Sequence, residues 1–172
     1  MRIVVGGLVV SSAISAPPST MDWIVPTHPA LVVSSLLFLA PLAVLLDHLH
    51  VPHIAAVAGL AVATCALSVA TWHRRGSEAL ARADRVMARS SGAVFTAIGL
   101  MVIPAADLLT TGFPLWFAML GCYALSIALD THAFHFLFHV CVAAGMCLIC
   151  SHLVAAGGDG PAIPADVLDL VS

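Results

Sequence analysis

Five stretches of the chain, residues 30–46, 53–73, 90–106, 111–129 and 133–154, contain no Asp, Glu, Lys or Arg. Each is at least 17 residues long, enough for an α-helix to match a hydrocarbon layer of ~30 Å. In such a layer the backbone must satisfy its own N–H and C=O groups, which leaves helices or a closed barrel. The stretches are continuous and rich in Leu, Ala and Val rather than alternating, which selects helices. The chain is therefore expected to fold as an all-α, polytopic membrane helix bundle of about five transmembrane helices. Composition agrees, with 61% of residues hydrophobic and 9% charged, against roughly 25% charged in a soluble domain.

The net charge is −3 and there is no lysine, so nothing attracts a nucleic acid backbone and no nucleic acid partner is expected. Cys65, Cys122, Cys141, Cys147 and Cys150 all fall inside the expected spans. That is not the spacing of a disulfide framework, and buried free thiols are the simpler expectation.

Residues 1–21 form an apolar N-terminal segment, either a signal-like core or a short interfacial helix, stopped by Pro17 and Pro18. The bundle occupies 22–155, and 156–172 form a C-terminal tail. The first helix stops at LDHLHVPH, where Asp47, His48, His50 and His53 crowd a turn around Pro52. This cluster is either an interfacial turn or a second metal site. Gly76 reads as a helix stop, and Ser77 with Glu78 as a helix start. Pro104 and Asp107 mark the far end of the third helix, and the fifth begins near Asp130.

Arg74, Arg75, Arg82, Arg85 and Arg89 are five of the six arginines, and the positive-inside rule places the segment 74–89 on the cytoplasmic side. Helix parity then brings His73, Asp84 and the start of the fifth helix to one membrane leaflet. There HAFHFLFHV carries His132, His135 and His139 at spacings of three and four, on one helical stripe. His135 and His139 form HxxxH, a pair that can share interhelical hydrogen bonds, ligate heme b or hold a zinc ion. His152, 13 residues beyond His139, would give the heme alternative a second level. His73 as a third imidazole and Asp84 as a carboxylate would complete a catalytic zinc site. Asp84 has a simpler use too, as an ion-pair partner of Arg82, Arg85 or Arg89.

SVATWH, eleven residues from His73 to Asp84, and HFLFHVCVAAG together resemble the superfamily of alkaline ceramidases, progestin and adipoQ receptors and GPI-remodelling lipid hydrolases. LDTHA at 129–133 is similar to the opening of the last helix in the GPI-remodelling branch. The resemblance covers about 40 residues in two blocks. It implies zinc at His73, His135 and His139, with Asp84 holding the zinc-bound water or shuttling its proton. It implies further a lipid substrate in the membrane, cleaved at an amide or ester bond. His132 is then an outer donor that orients a ligand or binds a headgroup.

Three features depart from the family pattern. Five helices are expected where the family has seven, which removes wall from a substrate cavity that a homo-oligomer or larger membrane complex could restore. The family serine lies four residues before the histidine, where this chain has Val69. Ser68 is five before, rotated about 140° on a helix, and is a poor stand-in as a catalytic hydroxyl. Third, in the GPI-remodelling register His132 would be the ligand and Phe136 its partner. Two alternatives to a hydrolase follow: a non-enzymatic heme-binding or structural subunit, and a zinc-binding, receptor-like relative without turnover.

Overall fold

The computed structural model describes residues 3–5, 8–10, 29–73 and 77–159. Ile3–Val5 (β1) and Leu8–Val10 (β2) pair as a short antiparallel hairpin with Ile3 opposite Val10, in the segment where a short interfacial helix was one of two expectations. From Pro29 onward the chain is an all-α bundle of five helices. They are α1 (Pro29–His48), α2 (Pro52–His73), α3 (Glu78–Val102), α4 (Ala105–Ala128) and α5 (His132–Asp159). Pro17, Pro18, Arg74, Arg75, Gly76 and the tail from residue 160 lie outside the described residues.

Four of the helices, α1, α2, α4 and α5, are long and apolar enough to cross a membrane, so the protein fits an integral membrane, multi-pass chain. The fifth expected span, 90–106, is cut short. Helix α3 ends at Val102, because Ile103 turns extended ahead of Pro104, as a residue before proline tends to. Its 25 residues are still long enough to cross, but its first turns carry Glu78, Arg82, Asp84, Arg85 and Arg89.

Local chemistry explains the breaks. Pro41 offers no N–H to Leu37, and the Leu37 carbonyl is taken instead by Ala40 at 2.9 Å, a tighter turn inside α1. Ser77 caps α3, its hydroxyl accepting from Leu80 N–H at 3.3 Å. Between α4 and α5 Asp130 sits in the left-handed region at φ 47°. That lets Thr131 N–H reach back to Ser126 C=O at 3.3 Å, closing a Schellman-type end. The Thr131 hydroxyl then accepts from Ala133 N–H at 3.2 Å and starts α5.

The core gathers Phe38, Leu45, Ile54, Val57, Ala61, Phe95, Ile98, Met146, Cys150 and Leu153 from α1, α2, α3 and α5. Helix α4 is peripheral and packs chiefly against α5, with its apolar side chains outward, as a helix against lipid would. Gly99 lets α3 approach α5, since a Cβ there would meet Ile149 Cγ1 at 3.1 Å. All five cysteines are free. Interhelical contacts also fix the ends of the bundle. The last turn of α2 meets α3 through Thr71 and Leu80 and meets α5 through Trp72 and His135. At the opposite end α4 meets α5 through Asp107 and His152.

Candidate functional site

Helix α5 carries the histidine stripe into the bundle at the end where α2 finishes. His135 and His139, one turn apart, stand edge to face with ring centroids 4.9 Å apart. His139 is buried, at 3% exposure, and Phe38 of α1 lies 4.9 Å from it, centroid to centroid. His135 is half-buried in an aromatic setting of Trp72 at 5.5 Å, Phe138 at 5.6 Å and Tyr123 at 6.5 Å. Four helices thus supply the walls: Phe38 from α1, Trp72 from α2, Tyr123 from α4 and the imidazoles from α5.

The polar atoms here are unevenly served. His139 Nδ1 lies 2.7 Å from Ser34 Oγ, and its Nε2 has no hydrogen bond to the described protein. His135 Nδ1 is buried and has no hydrogen-bond partner among the described residues. Buried polar atoms are seldom left so, and such an atom calls for a ligand or a water. The pair therefore fits half of a metal site: two side-by-side imidazoles, one with an orphaned nitrogen in an apolar wall.

The other expected members are not brought to the same point. His73 is exposed at the last residue of α2, although Trp72 beside it packs on His135. Among the described residues no group of three or more His, Cys, Asp or Glu side chains converges on a possible metal position. Asp84 is half-buried in the charged first turns of α3. Burial pushes its carboxyl up to about 6, and the adjacent Arg85 guanidinium pulls it partly back. The ion pair found nearby is instead Glu78 with Arg82 at 3.2 Å.

Ser68 is buried between α1 and α2, where its hydroxyl lies 3.0 Å from that of Ser35. Its hydroxyl faces α1, and no hydrogen bond joins it to a histidine among the described residues. His132 is half-buried one turn before His135. Asp47 and His48 end α1 and His50 lies in the turn after it, with His48 and His50 ring centroids 6.4 Å apart. This cluster and His53 do not assemble a second metal centre among the described residues. His152 Nε2 sits 3.7 Å from Asp107 Oδ2, at the far end of α5.

Ser34 was missed from the sequence. A serine inside an apolar run carries no periodic signal, and only the packing of α1 on α5 gives it a partner 105 residues away. No family model, curated protein or solved structure matches the chain.

Proposed function

We propose that this protein is an integral membrane, zinc-dependent hydrolase acting on an amide or ester bond of a lipid. One observation carries the proposal: the Trp72–His135 contact brings the last turn of α2, which ends at His73, against the first turn of α5. His135 and His139 would hold the metal. His73 would be the third donor that a catalytic site of three protein ligands requires, and its side chain lies exposed at the end of that turn. The resemblance of the two sequence blocks to ceramidase-like proteins adds the reaction class. Bound zinc would polarise the scissile carbonyl and supply an ionised water at neutral pH.

The chain's own residues would do the rest. Asp84, whose carboxyl burial pushes up to about 6, would take a proton and return it to the leaving group as a general base and acid. His132 would orient a ligand or meet the lipid headgroup at the start of α5. Phe38, Trp72, Tyr123 and Phe138 would keep bulk water from the imidazoles, and acyl chains would lie along the apolar helix faces.

A second function, as a structural subunit or a degenerate relative, is favoured by a different observation. The buried polar groups also pair between helices: Ser34 with His139, Ser35 with Ser68, and Thr64 with Ser91 at 2.6 Å. Such bonds hold membrane helices together without chemistry. Detergent-purified protein incubated with ceramide, lysophospholipid and phospholipid substrates decides between the two. Zinc-dependent release of fatty acid supports the hydrolase. Stoichiometric zinc without turnover supports the relative, and a Soret band supports heme ligation.

A further inference from the structure

We infer that Ser34 is a positioning residue for His139: it fixes the imidazole as the Nδ1–H tautomer and leaves the Nε2 lone pair free to bind an electron-pair acceptor. The inference deepens the proposed zinc site and rests on that reading for the identity of the acceptor.

Ser34 and His139 are both buried. Their 2.7 Å contact joins α1 to α5. A neutral imidazole carries one ring proton, on Nδ1 or on Nε2. On Nε2 it would have no acceptor, because no hydrogen bond to the described protein reaches that atom. On Nδ1 it has one, since a serine hydroxyl accepts as readily as it donates. The Ser34 hydroxyl has its own outlet: it donates to the Leu31 carbonyl, 3.1 Å away on the preceding turn of α1. The chain of donors thus runs His139 Nδ1–H to Ser34 Oγ–H to Leu31 C=O, and every proton in it has an acceptor. Among the described residues only the Nδ1–H form gives every proton of this chain a protein acceptor, and a paired N–H is favoured over one left without a partner.

The selected tautomer is the one a metal needs. Histidine ligands commonly donate the other ring N–H to a carbonyl, carboxylate or hydroxyl, and this fixes ring orientation and raises ligand basicity. Phe38 packs edge-on against the His139 ring, 4.9 Å away and 60° to its plane. The site therefore extends to α1, a helix that contributes no ligand.

The test uses the full-length protein in nanodiscs with 15N-labelled histidine. The His139 resonances are identified by their loss in His139→Gln, and the ring nitrogens are read before any zinc is added. The expected spectrum shows His139 protonated on Nδ1, with Nε2 bare. Protonation on Nε2 in the unmodified protein would overturn the inference, whatever the variants do. Ser34→Ala should shift the ring toward the Nε2–H form and weaken zinc binding, titrated with zinc alone, roughly 10- to 100-fold. Ser34→Thr, which keeps the hydroxyl, should restore both. An unchanged tautomer in Ser34→Ala would also overturn it. If the tautomer responds as expected but no variant and no unmodified protein binds zinc, the positioning role stands and the zinc reading falls.

Discussion

Trp72 and His135 meet edge to face, with ring centroids 5.5 Å apart and planes at 75°. The contact joins the last turn of α2 to the first turn of α5, across more than sixty residues of chain. In the proposed zinc site it would set the level of His73 relative to the imidazole pair. Trp72→Ala should therefore weaken zinc binding and Trp72→Phe should retain it, as read by competition with a zinc-sensitive dye. Equal affinity in the two variants would mean that this packing does not position the site.

Asp84 gives a pH dependence whose sign can be worked out. Its folded pKa of about 6 lies above the unfolded value of ~3.9. The folded chain keeps a proton that the unfolded chain releases across that window. Stability therefore falls as pH rises from about 4 to about 6, and the full cost remains above it. The side chain is only half-buried, so screening reduces the cost to about 1 kcal/mol. Asp84→Asn should melt at the same temperature as the unmodified protein near pH 4 and higher at pH 8. Lipid hydrolysis should rise through about pH 6 in the unmodified protein and lose that limb in the variant. A pH-independent difference in melting would contradict the assignment.

The close approach of α3 to α5 depends on Gly99, where an added Cβ would press on Ile149. Gly99→Leu should cost about 1–3 kcal/mol through overpacking. Gly92→Leu serves as the control, because nothing lies within 4 Å of a Cβ there. Thermal unfolding in detergent should separate the two by several degrees, and equal melting temperatures would contradict the packing.

Thr64 and Ser91 bridge α2 and α3 at 2.6 Å. Thr64→Val keeps the side-chain shape and removes the bond. Double-mutant cycles in membrane proteins average about 0.6 kcal/mol for such pairs, so a loss of that order is expected from a cycle with Ser91→Ala. A coupling energy near zero would mean that the two hydroxyls do not share a bond in the bilayer.

Much of this architecture was legible in the sequence, because charge-free runs and helix-end residues act locally. The helices α1, α2, α4 and α5, the Ser77 cap and the turn at Asp130 follow from residues within a few positions of each feature. Helix parity gave one leaflet for His73, Asp84, His135 and His139 as an expectation, and the Trp72–His135 contact joins the end of α2 to the start of α5. What the sequence hid depends on rotation about helix axes. Ser34 turns toward His139, and His73 turns outward. Neither of these orientations is encoded by spacing along a single helix. The end of the third helix was legible as well, because Pro104 marks it and Ile103 before it turns extended.

The most direct measurement is the metal and heme content of the detergent-purified protein, by elemental analysis with an absorption spectrum, for the unmodified chain and for His135→Ala and His139→Ala. About one zinc per chain, no Soret band, and loss of the metal in both variants is the predicted result. A Soret band, no metal in the unmodified protein, or zinc unchanged in both variants would contradict the account.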